Sequence, residues 1–165
     1  MAEGKYLTME KVMECTNLST RIETIDEHNR RMVGMISKLV AAIREQACKY
    51  IIADVIRFLE EYSVNHCLAE EVYMLYCGYP EYLLHKRQHN KFIDDVIELK
   101  KESLNPDPGK KCASYELSVE ANRIMVDWAY GHIANEDKKL GVFLNEPCQD
   151  RINIHHTEHL VYKPS

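Results

Sequence analysis

Four long stretches of this chain place apolar residues every three to four positions, which is the period of an α-helix with one buried face. The chain has only six glycines and five prolines, too few for the many turns of an all-β fold. The pattern predicts helices over residues 24–46, 50–76, 80–103 and 114–144. Thr24 is expected to cap the first helix, and Gly78 is expected to end the second.

Short connections make successive helices antiparallel neighbours, so we expect an all-α fold, an up-down-up-down antiparallel four-helix bundle. The bundle is predicted over residues 21–146. Residues 1–20 are expected to form an N-terminal arm, and residues 147–165 a short C-terminal tail. The full length of 165 residues suits one domain with its own core.

Composition narrows the classes of function. A net charge of −5 argues against a nucleic-acid-binding face, and no apolar run approaches the roughly 18 residues of a membrane span. The first residues lack the apolar segment of a secretory signal. The six cysteines contain no C-x-x-C pair, which argues against a zinc ribbon or a thioredoxin-type motif. We therefore expect reduced thiols in a cytoplasmic protein with no nucleic-acid or membrane partner.

Histidines fall on the core-facing stripes of all four predicted helices. The first stripe is predicted to contain Ile25, His28, Met32, Met35 and Leu39, and the other stripes contain His66, His85, His89 and His132. One such histidine is best explained as a hydrogen-bonded core residue. Five of them with a carboxylate need partners for many buried polar atoms. In an antiparallel bundle all five also lie near the same end, which favours a shared metal site.

The spacing of these donors suits metal ligation. His66 and Glu70 form an i,i+4 pair, as do His85 and His89, so each pair can reach one point from its helix. Glu71, the next acid along, points elsewhere and is expected to be solvated.

Two acids follow His132 on the fourth helix. Regular helix geometry prefers Glu136 at i+4, although a locally distorted turn could direct Asp137 at i+5 inward. Five imidazoles and at least one carboxylate are more than one tetrahedral zinc accepts, and two carboxylate-bridged ions would use them all. Mixed imidazole and carboxylate ligation suits iron, manganese or zinc, and redox chemistry narrows this to iron or manganese.

This pattern resembles hemerythrin over about residues 20–144. The matching donors, in order, are His28, His66-x-x-x-Glu70, His85-x-x-x-His89 and His132-x-x-x-x-Asp137. The flanking residues fit as well, namely Ile25-Asp26, Glu70-Glu71, Gly78-Tyr79-Pro80, Trp128 and His132-Ile133. A ferritin-like di-iron bundle needs Glu-x-x-His, and no histidine here has Glu three residues before it.

The resemblance implies a non-haem di-iron centre (Fe2+/Fe3+) with an oxo or hydroxo bridge. It assigns His85, His89 and His132 to one iron and His28 and His66 to the other. Glu70 and Asp137 would bridge the two ions, so the resemblance overrules the geometric preference for Glu136. It also implies that O2 binds reversibly at an open position on the iron with fewer ligands.

The resemblance further implies an O2 pocket lined by Trp128, Ala129, Ile133 and Cys67. The family normally has an aromatic residue at the position of Cys67 and leucine at that of Ala129. These smaller residues suggest a roomier pocket with faster autoxidation, or access for a larger substrate. Alternatively, a neighbouring side chain or the backbone fills the gap.

We therefore expect a protein that stores, delivers or senses O2, and that is not an enzyme. Two alternatives stay open: an enzyme that reduces peroxide, nitric oxide or O2, and a redox or oxygen sensory domain. The tail carries His155, His156 and His159 beside apolar residues. We expect it to dock on the bundle or on a protein partner, in preference to forming a second metal site.

Overall fold

A computed structural model describes residues 18–105 and 113–146. Its helices are α1 (Glu23–Arg44), α2 (Cys48–Cys77) and α3 (Tyr82–Leu104), followed by α4 (Ala113–Trp128), a π-helix (Ala129–Asp137) and α5 (Lys138–Asn145). The last three segments are continuous in the chain and form the fourth rod. The predicted all-α four-helix fold is confirmed. Most of the predicted arm, and all of the predicted tail with its three histidines, lie outside the described residues.

The four rods form a closed bundle. Helix α1 packs against α2 and α4, and α3 packs against the same two helices. The connections at residues 45–47 and 78–81 are short, which makes the joined helices antiparallel. Gly78 ends α2 in the left-handed conformation (φ 66°), as predicted, and the following Tyr79 N–H donates to the Met74 carbonyl at 2.8 Å.

The start of α1 differs from the prediction. Ile22 precedes the first helical residue and makes no side-chain cap, so the assignment of Thr24 as N-cap was wrong. The Asp26 carboxylate ties the preceding segment to the first turn instead. It accepts hydrogen bonds from Thr20 N and Oγ1, both at 2.7 Å, and from Ser19 Oγ at 2.6 Å.

The buried stripe of α1 also runs through different residues. It contains Ile25, Asn29, Met32, Ile36 and Leu39, whereas His28 and Met35 are only half-buried. A helical stripe can advance by three or four residues at each step, so both registers were compatible with the spacing. The predicted His28 and Met35 do face the interior, His28 against the His66 ring and Met35 against core residues, but they are only partly buried, and Asn29 and Ile36 beside them are buried more fully.

Two apolar clusters fill the interior. The smaller contains Ile25, Met74, Tyr79 and Leu140. The larger includes Met32, Tyr62, Phe92, Trp128 and Ile133. Along α2, α3 and the fourth rod, the buried histidines and acids lie between residues of these two clusters or packed against them. The bundle thus encloses one polar layer between two apolar ones.

Among residues 18–105 and 113–146, no helix combines the length and the apolar character needed to cross a bilayer.

Candidate metal centre

Six of the seven predicted ligands meet in the polar layer, and each is at most 2% exposed. Helix α2 contributes His66 and Glu70, α3 contributes His85 and His89, and the π-helix contributes His132 and Asp137. They form two overlapping groups of donors, and within each group the ligand atoms lie within 4.8 Å of one another. The first group is Glu70, His85, His89 and His132, and the second is His66, Glu70, His132 and Asp137.

The Glu70 carboxylate lies at the centre of the layer. Its Oε2 is 2.9 Å from His85 Nε2, 3.1 Å from His89 Nε2 and 3.6 Å from His66 Nε2. Burial opposes its ionisation, but the surrounding rings, His66 foremost, hold the pKa of Glu70 well below its usual range. It is therefore an anionic donor in contact with imidazoles from two helices.

Asp137 approaches the same layer from the fourth rod. Its Oδ1 is 3.0 Å from His132 Nε2, and its Oδ2 is 3.5 Å from His66 Nε2. The π-helix explains this position, because its wider turn brings residues five apart onto one side. Glu136 instead forms an ion pair with Lys139 at 2.9 Å and belongs to neither group of donors. The geometric preference for Glu136 was thus wrong, since it assumed a regular α-helix.

Two histidines are also held from outside the layer. His89 Nδ1 is 3.2 Å from Glu71 Oε1, and Glu71 is 17% exposed and forms an ion pair with Lys86. His132 Nδ1 is 2.9 Å from Gln88 Oε1. Such contacts fix the orientation of a ligating ring and its tautomer. The expectation that Glu71 is solvated was wrong. It considered only the direction of Glu71 on α2, whereas the contacts with Glu71 come from α3.

A buried hydrogen-bond chain ends on Asp137, and helix periodicity did not predict it. Trp128 Nε1 donates to the Tyr62 hydroxyl at 3.2 Å, which donates to Asn29 Oδ1 at 3.4 Å. Asn29 Nδ2 in turn donates to Asp137 Oδ2 at 3.3 Å. Burial, reinforced by the charge of Asp137, raises the pKa of Tyr62 well above its usual range, so its hydroxyl stays a donor.

His28 lies beside the layer and belongs to neither group of donors. Its ring is half-buried and meets His66 edge-on, with 6.0 Å between the ring centroids. Its Nδ1 is buried and has no hydrogen-bond partner among the described residues. The structure thus places the seventh predicted ligand next to the cluster with an unsatisfied nitrogen, and its part in metal binding stays a prediction.

The four residues expected to line an O2 pocket are all buried at the edge of the layer: Cys67, Trp128, Ala129 and Ile133. Trp128 stacks on His132, with 3.8 Å between centroids and 15° between planes. A surface groove of about 290 Å³ between α3 and the fourth rod reaches these two rings. Burial raises the pKa of the Cys67 thiol, so this side chain stays neutral.

The donor atoms fit a bound metal. Several are buried with no hydrogen-bond partner within the described ranges: His66 Nδ1 and Nε2, Glu70 Oε1, His132 Nε2 and Asp137 Oδ1. Leaving such atoms unsatisfied costs about 1–3 kcal/mol each. Cations would take up the inward-facing ones, and imidazole with carboxylate is a donor set typical of iron.

Comparisons with known proteins point the same way. The model of the hemerythrin HHE cation binding domain family matches residues 20–144. A bacteriohemerythrin of Pseudomonas aeruginosa is 32% identical over 123 residues, 73% of each chain. A bacteriohemerythrin of Stenotrophomonas maltophilia is 28% identical over 122 residues, 74% of each chain. One of Methylococcus capsulatus is 26% identical over 133 residues, 78% of this chain and 88% of its own.

Proposed function

Because this chain belongs to the hemerythrin family, we propose that its polar layer holds two iron ions and that the protein binds O2 reversibly. The family supports a di-iron protein of the oxygen-binding type. The observation that carries the proposal is the pair of overlapping donor groups, each with four buried ligand atoms. The two groups share the Glu70 carboxylate, and a carboxylate shared in this way can bridge two adjacent ions.

The proposed ligands are the seven predicted ones: the six converging side chains His66, Glu70, His85, His89, His132 and Asp137, and beside them His28, whose buried Nδ1 has no hydrogen-bond partner among the described residues. Each carboxylate contacts rings that belong to both groups, as a bridging ligand must. Both donor groups consist of imidazole and carboxylate without a thiolate, which favours iron over softer, thiolate-bound metals. When bound, the iron pair would donate electrons to O2 and take them back when O2 is released.

The protein's own contribution is to hold the donors and to exclude water. Apolar clusters close the layer above and below, and Trp128 covers the His132 ring. Exclusion of water disfavours the release of charged oxygen species and protects the reduced centre. The Cys67, Trp128, Ala129 and Ile133 side chains are the proposed lining of the O2 site.

The test is a cycle of reduction and oxygenation. The iron-loaded protein is reduced without O2, exposed to O2, and then purged, while visible absorption and O2 concentration are recorded with iron analysis of the same sample. We expect two irons per chain, an absorption band that appears with O2 and fades on purging, and O2 uptake that stops at saturation. Continuous O2 consumption with excess reductant would instead support the enzymatic alternative.

Adjacent acids provide a matched pair of variants. Asp137→Asn removes a proposed bridging carboxylate, whereas Glu136→Gln changes an acid that pairs with Lys139 and belongs to neither group of donors. We expect the first to lose iron and the second to retain both ions. Equal iron content in the two variants would remove Asp137 from the site.

A further inference from the structure

Helix α2 has an exposed apolar face on the side away from the polar layer. Its members are Val64, Leu68, Val72, Leu75 and Tyr76, each 55–73% exposed. Four of them recur at every fourth position, so they form one continuous ridge along the helix. We call these five residues the α2 apolar patch.

The α2 apolar patch contains no charged side chain. Between residues 62 and 80 the only lysine, arginine, aspartate or glutamate residues are Glu70 and Glu71. Glu70 is buried in the polar layer, and Glu71 is largely buried and pairs with Lys86 of α3. An exposed apolar face without interspersed charges is typical of a surface that another molecule covers.

The size of the patch can be compared with that of known interfaces. Three aliphatic side chains beside a further leucine or tyrosine, exposed to this extent, present roughly 400 Å² of apolar surface. A stable interface buries about 800 Å² on each partner, and its outer part is a polar rim. The α2 apolar patch is therefore large enough to be the apolar centre of such an interface.

The order of side chains along the ridge fits a second copy of the same ridge. An antiparallel pair of α2 helices, related by a two-fold axis midway along the patch, sets Leu68 against Val72 of the other copy. The same axis sets Tyr76 against Val64, so each larger side chain meets a smaller one. Ridges with four-residue spacing interlock when two helices cross at about −50°, and this contact buries no charge.

We propose that two copies of this protein associate through the α2 apolar patch. A lipid surface fits the patch less well, because it favours lysine and arginine beside the apolar residues. Here the exposed acid Glu61 lies one turn before Val64, and the net charge of the chain is −5. The patch faces away from the proposed ligands, so the proposal does not depend on metal binding.

The test is the mass of the full-length protein in solution, measured by sedimentation equilibrium and by light scattering. At about 100 µM, well above the micromolar Kd expected for an interface of this size, we expect the mass of two chains. Leu68→Glu and Val72→Lys should each weaken dimerisation at least about 100-fold, because every dimer would bury two unpaired charges. The control is Leu104→Glu, the same exchange at an exposed leucine near the end of α3, and it should leave the dimer unchanged.

An equimolar mixture of Leu68→Glu and Val72→Lys tests both the occupant and its register. In a mixed dimer the new carboxylate of one copy meets the new ammonium of the other, and the second contact stays apolar. We expect the mixture to recover dimers, although neither variant dimerises alone. Circular dichroism checks that each variant is folded, which we expect because both positions are exposed.

Three results would overturn the proposal. A wild type with the mass of one chain at about 100 µM would exclude a stable dimer. A Leu68→Glu protein that dimerises as the wild type does would show that two copies meet at another surface. A mixture that stays monomeric would exclude the antiparallel pairing, and a monomeric wild type that binds phosphatidylcholine vesicles would assign the patch to a lipid surface instead.

Discussion

The contact between Glu71 and His89 gives a prediction that separates metal binding from folding. Glu71 Oε1 lies 3.2 Å from His89 Nδ1, on the side of the ring opposite the polar layer, and it also pairs with Lys86. A carboxylate here orients the ring and increases the electron density on the nitrogen that faces the metal. Glu71→Gln keeps the shape and an acceptor oxygen but removes the negative charge.

The expected loss can be bounded from this geometry. Removing the outer partner of a ligating histidine typically lowers metal affinity 10–100-fold, which corresponds to about 1.4–2.8 kcal/mol. Glutamine can still accept a hydrogen bond from His89, so we expect the lower end, about tenfold. The ion pair with Lys86, whose side chain is 38% exposed, contributes about 0–1 kcal/mol to folding. The variant should therefore fold almost normally while binding metal more weakly.

The assay is competition for Fe2+ with a chromophoric chelator, together with a denaturation curve for each protein. Glu60→Gln is the matched control, because Glu60 pairs with Lys100 between the same two helices and has no contact with a histidine of residues 18–105 or 113–146. We expect Glu71→Gln to lose about tenfold in affinity and Glu60→Gln to lose none. Equal affinities in the two variants would refute the role given to Glu71.

Three further predictions concern the network, the N-terminal segment and the pocket. Tyr62→Phe leaves Trp128 Nε1 and Asn29 Oδ1 without their partner, so the free energy of unfolding should fall by about 1–3 kcal/mol, and an unchanged denaturation midpoint would contradict this. For Asp26, burial opposes ionisation, but hydrogen bonds from Ser19 and Thr20 outweigh it and lower the pKa below its ordinary 3.8. A lowered pKa means that these bonds stabilise the fold above about pH 4 and cease to do so as the pH falls through the folded-state pKa. Denaturation experiments on Asp26→Asn should therefore give a lower free energy of unfolding than the wild type at neutral pH and a similar one at low pH. A difference between the two proteins that does not vary with pH would contradict this. Ala129→Leu adds apolar volume next to Trp128, so we expect slower autoxidation of the oxygenated protein. An unchanged rate would show that other atoms already fill the space beside Ala129.

The fold and the layer of donors were largely predictable from the sequence. Helix periodicity and the Gly78 stop signal are local features, and the antiparallel topology follows from short connections. Together they place the ends of all four helices side by side. The convergence of His66, Glu70, His85 and His89 needs only this topology and i,i+4 spacing.

Other features depend on tertiary contacts that periodicity does not contain. The burial of Asn29 next to His28 was not predictable from the spacing, because it depends on the hydrogen-bond partners supplied by Tyr62 and Asp137. The π-helix has no sequence signature in residues 129–137, so regular geometry favoured Glu136. Only the resemblance to a known family favoured Asp137.

Diffraction at the iron absorption edge, from crystals of protein saturated with iron, locates the bound ions directly. We expect two anomalous peaks inside the polar layer, one surrounded by His85, His89 and His132 and the other beside His66 and Asp137. A single peak, or iron located outside this layer, would contradict this expectation.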